Sequence, residues 1–454
     1  MTMKKLLLGV LAGSAFAACA AGPFDRAVLH GETDKARAID YAPGEEMVFT
    51  LSLQGAEDFA ADAYFVRWTR TGDDGVTESG KVDAKKLPLV VRTKTDKPGF
   101  VRLRAELCGR DGELYRKSFT GDATTPEGKK AMNAFERSDR RVFFDGSAGV
   151  QPEKLASVPE PADFDAFWTR RKARLAKVPL EATTREVKSP SDREKAYAVS
   201  IACAGPRPST GYLTVPVKPG KYPVRVSFHG YGHTYPNKGH VVSPIAGDGR
   251  TIWFNFSPHG YELEREPEYY DEFFRSICSG KDTFGFNDEQ NKDPENCYFS
   301  GFTYRIMRAL EWLKTLPEWD GRNLIVGGGS MGGMQSMWAV GLDKDVTEAY
   351  PSIPWNCDMG GRDTLKRIVE PWYIHETPAL RYYDPVNLAK RANPKCRVEV
   401  TRAGLGDYHC PPSGIWILYN NLPCAKKFNW VQGSTHGYVP KEPGSQKFSV
   451  SEGW

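Results

Sequence analysis

The stretch Asn323–Val340, "NLIVGGGSMGGMQSMWAV", decides the fold of this chain. Residues 324–326 form a short apolar run that ends in glycines, which predicts a buried strand. Residues 331–340 are rich in Met, Ala and Trp and lack proline, which predicts a buried helix. Ser330 lies at the turn between them, in the pattern G-x-S-x-G. Such a turn exposes the hydroxyl beside a helix N-terminus, whose N–H groups favour developing negative charge. We therefore interpret Ser330 as a nucleophile, and not as a serine in an ordinary glycine-rich turn.

The composition is that of a soluble globular protein with room for two or three domains. The chain has 454 residues, of which 40% are hydrophobic and 26% are charged. A net charge of +4 without a basic tract is not typical of a nucleic-acid-binding protein. No C-x-x-C spacing occurs, and we expect neither a metal nor another cofactor. Cys278 and Cys297 lie in one irregular segment, where they either form a disulfide or stay free.

The N-terminus has the pattern of an export signal. Two lysines precede the apolar run at residues 6–12, and small residues follow, which predicts a signal peptide over residues 1–22. Ala15-Phe16-Ala17 fits the cleavage rule, and the next residues resemble a bacterial lipobox with Cys19 as the lipid-bearing residue. Plain export to the periplasm or medium and lipid anchoring at the cell surface both stay open. No later stretch approaches the ~20 apolar residues of a membrane span.

The region from residue 23 to 145 has β character. Alternating apolar and polar residues, separated by glycine- and aspartate-rich turns, predict a small all-β sandwich domain of immunoglobulin-like outline. Its predicted strands are Met47–Leu53, Ala63–Arg70, Leu87–Lys94 and Phe100–Cys108. Residues 124–154 are interpreted as a connector, and we place the linker proper at residues 146–160.

Residues 161–454 alternate between strands and helices, which predicts an α/β domain with a mostly parallel sheet covered on both faces. The segment Pro161–Pro179 is predicted to be an amphipathic helix that buries Phe164, Phe167, Trp168, Arg171 and Leu175. A second helix is predicted at Tyr304–Leu316, before the strand that leads to Ser330. The predicted core strands are Tyr222–Gly230, Thr251–Phe256, Asn323–Gly328, Cys396–Gly404 and Lys426–Gly433.

A nucleophilic serine needs a base and an acid that orients it. In α/β-hydrolases the chain order is Ser, then Asp or Glu, then His, with the last two in loops after late strands. His436, in "GSTHGY", follows the last predicted core strand and is our predicted base. His375, in "WYIHE", is expected in a helical region as a surface or packed residue. His409 follows the acid too closely to be the base in this order.

Asp407, in "AGLGDYHCPPS", comes directly after the strand Cys396–Gly404 and is the predicted acid. Asp358, in "NCDMGGRD", is the alternative acid, and Asp384 is interpreted as a turn or helix-start residue before proline.

The oxyanion hole needs two backbone N–H groups. We assign one to Met331, after the serine, and the other to Tyr231, in the loop "HGYG" after the strand Tyr222–Gly230. His229, at the start of that loop, is interpreted as structural.

These residues resemble the acetyl xylan esterases and cephalosporin-C deacetylases of carbohydrate esterase family seven. The likeness runs from Pro161 to Tyr438 and is carried by "PADFDAFW", "HGYG", "GGGSMGG", "YYDPVNLAKR", "GLGDYHCPPS" and "THGY". It implies an α/β-hydrolase fold and a Ser330–Asp407–His436 triad. It also implies removal of acetyl groups from sugars.

The chain departs from this family in three places. Met331 stands where members usually have Gln, which a backbone donor tolerates. "SPHGYELE" (residues 257–264), with an insertion that reaches Asn296, replaces a usual Arg-Gly-Gln-Gly turn. The N-terminal β region has no counterpart in usual members. Family members often form rings, and whether this chain oligomerises stays open because of the added region.

The resulting hypothesis is an exported serine esterase that acts on acetylated poly- or oligosaccharides. A serine peptidase of the prolyl-oligopeptidase kind is an alternative, although ~125 N-terminal residues are too few for a typical propeller. An esterase for larger acyl groups such as feruloyl is a second alternative, because the insertion borders the active-site face. A scaffold with an inactive hydrolase fold is a third, against which the intact triad argues.

Overall fold

The computed structural model describes residues 27–55, 61–136, 139–232, 241–279, 283–442 and 444–454. The predicted signal peptide and Cys19 therefore lie outside the described residues. Up to residue 150 the elements are β1 (Val28–Thr33), β2 (Met47–Gln54), β3 (Tyr64–Gly72), β4 (Glu78–Asp83), β5 (Leu89–Thr93), β6 (Gly99–Gly109), α1 (Pro126–Glu136) and β7 (Phe143–Val150).

The later part of the chain alternates between helices and strands. The elements as far as the elbow are α2 (Phe164–Ala176), β8 (Ala182–Val187), β9 (Glu194–Ile201), β10 (Ser209–Pro216), β11 (Tyr222–Phe228), β12 (Ile252–Ser257), α3 (Pro267–Ile277), α4 (Tyr298–Leu313) and β13 (Trp319–Gly329). After it come α5 (Met331–Leu342), β14 (Glu348–Ser352), α6 (Pro385–Ala389), β15 (Arg397–Gly404), α7 (Pro412–Asn421), β16 (Ala425–Val431) and β17 (Lys447–Glu452).

The N-terminal β region, β1 to β7, consists of two antiparallel sheets. One has the order β1-β2-β5 and the other β4-β3-β6-β7. Both contribute apolar side chains to one buried cluster, for example Phe49 from β2 and Leu103 from β6. Strand alternation produces this arrangement, because every second side chain of each strand points into the space between the sheets. The four strands predicted here are present as β2, β3, β5 and β6.

The segment predicted as a connector, residues 124–154, is not one. It contains α1 and β7, and β7 pairs antiparallel with β6 over its whole length. The sequence of β7, "FFDGSAGV", shows no alternation because every one of its residues is buried. β7 continues to Val150, beyond the boundary expected at residue 145. The division of the chain into domains remains a prediction.

The large sheet has ten strands in the order β17-β16-β15-β14-β13-β11-β12-β10-β9-β8. The central strands, from β16 to β12 in that order, pair parallel to one another. The outer strands β10, β9, β8 and β17 pair antiparallel. The central strand β12 buries the consecutive residues Phe254–Ser257, whose side chains alternate between the two faces of the sheet. The predicted mostly parallel α/β sheet is confirmed.

The helix predicted at Pro161–Pro179 is present as α2, and its buried residues are the five that its periodicity predicts. The second predicted helix is α4, which begins at Tyr298, earlier than expected. Strands β8, β9, β10, β14 and β17 were not anticipated. Within the described residues, no helix combines the length and the apolar character needed to cross a membrane.

The N-terminal β region packs directly onto the large sheet and its loops. The ring of Phe100, on β6, stacks on that of Trp430, on β16, at 6.2 Å. Ser147, on β7, donates from its hydroxyl to the carbonyl of Leu405 at 2.6 Å, and its backbone exchanges two hydrogen bonds with the Gln432 side chain. β7 therefore supports the loop that follows β15.

Candidate active site

Ser330 occupies a sharp turn between β13 and α5. Its backbone has φ 55° and ψ −118°, and such a positive φ is uncommon for a residue with a side chain. Its N–H donates to the carbonyl of Ser352 at 2.9 Å, and its carbonyl accepts from the N–H of Trp355 at 3.1 Å. Ser330 is 9% exposed. The two backbone hydrogen bonds fix the serine at the carboxyl edge of the sheet.

The glycines of the motif are required by close packing against the end of β11. A Cβ atom on Gly328 would lie 2.3 Å from the carbonyl oxygen of Phe228, and one on Gly332 would lie 2.4 Å from the same atom. Gly329, between Gly328 and the serine, has open space at that position. The two glycines that define G-x-S-x-G are thus the two that the backbone demands.

His436 and Asp407 form a hydrogen-bonded pair. The Nδ1 atom of His436 lies 3.0 Å from Oδ2 and 3.2 Å from Oδ1 of Asp407. Asp407 is 0% exposed, and its Oδ1 also accepts from the backbone N–H groups of His409 and Cys410, each at 3.1 Å. These donors hold the carboxylate in place, and the carboxylate in turn holds the imidazole with Nδ1 inward.

Cys410 connects Ser330 with His436. Its Sγ atom lies 3.7 Å from Nδ1 of His436, and the Ser330 side chain lies beside the thiol, where it partly offsets the rise in the pKa of Cys410. Ser330 and the His436–Asp407 pair therefore both adjoin Cys410, and their roles as nucleophile, base and acid remain a prediction. The sequence reasoning missed Cys410, although its position three residues after Asp407 could have pointed to it.

Asp407, Cys410 and His436 also offer an oxygen, a sulfur and a nitrogen within 4.8 Å of one another. A metal ion on Nδ1 of His436 would displace the proton shared with Asp407. Burial, with the charge of Asp407, raises the pKa of the Cys410 thiol well above its usual range, and a protonated thiol is a poor metal ligand. The geometry therefore suits a triad better than a metal centre.

The predicted oxyanion donors, Met331 and Tyr231, belong to two segments that adjoin Ser330. Met331 is the first residue of α5, where a backbone N–H has no acceptor within the helix. The loop that carries Tyr231 is also close to Ser330, because a Cβ atom on Gly230 would lie 4.0 Å from Cβ of Ser330. The Tyr231 hydroxyl donates to the carbonyl of Phe284 at 3.0 Å and accepts from its N–H at 2.8 Å, which anchors the loop.

The other histidines occupy different settings. Nε2 of His229 lies 2.6 Å from the side-chain oxygen of Asn255, and burial lowers the pKa of His229, which supports its structural interpretation. His375 is exposed, as expected for a surface residue, but it lies in a loop and not in the predicted helix. The reason is local, since prolines at positions 371 and 378 restrict the backbone. The His409 ring contacts that of His436 at 5.3 Å without reaching the acid as a base would.

Asp358, the alternative acid, is paired with a residue other than a histidine. Asp358 is buried and forms an ion pair with Arg367. Asp384 begins α6 as an N-cap, accepting from the N–H of Val386 at 2.9 Å, which matches its interpretation as a helix-start residue. Of the two alternatives left open for Cys278 and Cys297, the structure has the free thiols, and no disulfide joins any cysteines in the described ranges.

A cleft of about 580 Å³ opens beside His436. Its walls come from the loop around His436 and from the N-terminal β region, including Arg102, Arg104 and Arg141. No motif in the sequence indicates that the N-terminal β region contributes to this cleft. Arg102, Arg104 and Glu106 do alternate with apolar residues along β6, so the strand has one polar face, but nothing local shows what that face meets.

The chain resembles a known family of esterases. Residues 153–450 match the family model for acetyl xylan esterase (AXE1). The chain is 29% identical over 362 residues to the acetyl esterase Axe7A of Xylanibacter ruminicola, an alignment that covers 77% of this chain and 74% of that protein.

Two solved structures are similar in fold. The acetyl xylan esterase of Paenibacillus sp. R4 is 25% identical with a TM-score of 0.50, and acetyl xylan esterase 1 of Thermoanaerobacterium sp. JW/SL YS485 is 20% identical with a TM-score of 0.52. Each match covers 64% of this chain and 94% of the other. With its elbow serine and its Asp–His pair at the edge of the sheet, the chain belongs to the acetyl xylan esterase family.

Proposed function

We propose that this protein is a serine esterase that removes acetyl groups from acetylated poly- or oligosaccharides. The observation that carries the proposal is the convergence of Ser330, His436 and Asp407 within the region that matches the family model. The relatives that share this region are acetyl esterases by name. In the described residues the N-terminal β region forms two antiparallel sheets and no propeller blades, so nothing specific favours the peptidase alternative.

The geometry supports a two-step acyl transfer. His436 takes the proton of the Ser330 hydroxyl as the oxygen attacks the acetyl carbonyl, and Asp407 stabilises the imidazolium that forms. The N–H groups of Met331 and Tyr231 bind the developing oxyanion. His436 then gives this proton to the sugar oxygen as its bond to the acetyl carbon breaks, so that the sugar leaves with a free hydroxyl. In the second step His436 activates a water molecule, which releases acetate and restores the serine.

The surroundings of Tyr231 favour a small acyl group. Its ring stacks on Phe284 at 4.1 Å and meets the edges of Trp372 at 4.9 Å, Phe286 at 5.6 Å and Trp355 at 5.7 Å. Phe284 and Phe286 come from the insertion that departs from the family pattern. The insertion therefore fills the space beside the oxyanion loop with aromatic rings, which argues against a pocket for feruloyl groups.

The proposal is tested by measuring acetate release from a panel of acetylated glycans. Methyl ferulate and a dipeptide anilide, assayed in parallel, test the alternatives. We expect acetylated xylan or xylo-oligosaccharides to be deacetylated and the other two substrates to react slowly or not at all. Efficient hydrolysis of the ferulate or the peptide, without acetate release from any glycan, would refute the proposal.

We also propose that the protein is exported, with residues 1–22 as its signal peptide and either a free N-terminus or a lipid at Cys19. The small-residue pattern before Cys19 supports both forms.

We further propose that the N-terminal β region is a separate domain of immunoglobulin-like outline, because its two sheets share a buried cluster of their own. Assembly into a ring, as the family resemblance implies, is tested by light scattering.

A further inference from the structure

The N-terminal β region provides one wall of the cleft that begins at His436. The opposite wall includes residues 435–437. The N-terminal wall consists of side chains from β6, from β7 and from the residues just before β7, namely Arg102, Arg104, Asp139, Arg141, Phe143 and Asp145. All of them precede residue 153, where the match to the family model begins. This wall is thus an addition to the part of the chain that carries the reaction.

The wall consists of charged side chains held in fixed pairs. Nη2 of Arg141 lies 2.5 Å from Asp139, and Nη2 of Arg104 lies 2.7 Å from Glu106. Arg102 lies deeper, where both its Nε and its Nη2 donate to Asp145, at 2.8 and 2.5 Å. Side chains that are already paired keep their positions when a ligand arrives, so they lose little conformational freedom on binding.

The pairing also determines which ligand suits the cleft. The three arginines are matched by the carboxylates of Asp139, Asp145 and Glu370 in the same cleft, so the cleft as a whole has no excess charge to attract an anion. It does present alternating hydrogen-bond donors and acceptors, together with the ring of Phe143. A sugar hydroxyl donates one hydrogen bond and accepts others, and a sugar ring also has an apolar face. A cleft of this size accommodates a ligand larger than an acetyl group.

We propose that this wall is the binding site for neutral sugar units of the glycan, adjacent to the unit whose acetyl group is attacked by Ser330. The inference rests on the proposed function, since it assigns the sugar part of that substrate to the N-terminal β region. It makes this region a determinant of glycan specificity, while the chemistry stays with the residues of the family region.

The test compares the double variant Arg104→Ala/Arg141→Ala with a matched control. The side chains of Arg104 and Arg141 are 37% and 33% exposed, so we expect both substitutions to be tolerated by the fold. Arg67, on β3, is the control, because it also pairs with Glu106, at 3.1 Å, but it is 47% exposed and does not line the cleft. Binding of unacetylated xylo-oligosaccharides is measured by calorimetry, and hydrolysis of p-nitrophenyl acetate is measured beside it.

We expect the double variant to weaken oligosaccharide binding at least about tenfold, because it removes charged donors to sugar hydroxyls. Its kinetics on p-nitrophenyl acetate and its Tm should match those of the wild type, and Arg67→Ala should change neither property. Unchanged oligosaccharide binding in the double variant would overturn the inference, as would tighter binding of a uronic-acid oligosaccharide than of a neutral one. Oligosaccharide binding without acetate release from any glycan would instead refute the proposed function and leave the sugar site in place.

Discussion

Gly406→Ala should inactivate the enzyme by displacing Asp407, the proposed catalytic acid. Gly406 precedes Asp407, and a Cβ atom placed on it would lie 1.9 Å from the carbonyl oxygen of Asp145, in β7. A carbon–oxygen contact of about 3.3 Å is the shortest that is ordinary, so the loop or the strand has to move by about 1.4 Å. Added to the 3.0 Å between His436 and Asp407, such a shift breaks their hydrogen bond.

The size of the loss follows from what the acid does. A displacement of about 1 Å in a catalytic group costs roughly 10²-fold, and loss of the aspartate's orienting role costs roughly 10⁴-fold in kcat. We therefore expect kcat on p-nitrophenyl acetate to fall by about 10²- to 10⁴-fold, with about 1–3 kcal/mol lost from the free energy of unfolding.

The matched change is Gly329→Ala, beside Ser330, where an added Cβ meets nothing within 4 Å. This variant should lose less than about tenfold, since alanine fits without displacing any neighbour. A folded Gly406→Ala protein with kcat within about threefold of the wild type would refute the conclusion that β7 fixes the position of the acid.

Further outcomes follow from the same geometry. Asp407→Asn should lower kcat by about 10⁴-fold, whereas Asp358→Asn, which breaks a pair with Arg367, should mainly lower Tm; the reverse order would overturn the acid assignment. Along a series of p-nitrophenyl esters, kcat/KM should fall steeply from acetate to butyrate to octanoate, because each methylene forced into a filled pocket costs about 1–3 kcal/mol, and Trp372→Ala should flatten that series. Burial, with the charge of Asp358, raises the pKa of Asp384 to about 7, above the ~3.9 of an unfolded chain. The folded state therefore holds a proton that the unfolded state has lost, so the free energy of unfolding should fall as pH rises from about 4 to about 7. Urea unfolding across that window should show a shallower slope for Asp384→Asn, and an unchanged slope would contradict this interpretation. A chelator should leave the esterase activity intact. Loss of activity that a divalent metal restores would contradict a metal-independent serine mechanism.

The catalytic residues could be predicted because each lies in a local pattern with a physical cause. The backbone of β11 leaves no room for a side chain at positions 328 and 332, so both must be glycine. This requirement produces the G-x-S-x-G motif that can be recognised in the sequence. Asp407 and His436 follow strands whose apolar runs are clear, and parallel strands bring their carboxyl ends to one edge of the sheet. Chain order then selects the acid and the base without any knowledge of distances.

The elements that were missed lack such patterns. β14 is short and contains Pro351, which argues against a central strand by its local sequence alone. β7 has no alternation, because one of its faces meets the core of the N-terminal β region and the other meets the loop after β15. A strand buried on both sides is indistinguishable from a small-residue connector until its two neighbours are known.

The role of β6 and β7 at the active site was beyond sequence reasoning for a different reason. The contact between Gly406 and Asp145 joins residues far apart in the chain. Neither the glycine nor the aspartate has a local sequence that predicts this contact. Only the packing of the two regions shows that Ser147 supports the acid loop and that Arg104 and Arg141 face the same cleft as His436.

The most direct test of the account is to locate the acyl group during turnover. The wild-type protein is mixed rapidly with p-nitrophenyl acetate, quenched in acid and digested. The masses of its peptides are then measured by mass spectrometry. We predict that one acetyl group appears on the peptide that contains Ser330, and that Ser330→Ala shows neither this adduct nor a burst of p-nitrophenol. Acetylation of a different residue, or an undiminished burst from Ser330→Ala, would contradict the assignment of Ser330 as the nucleophile.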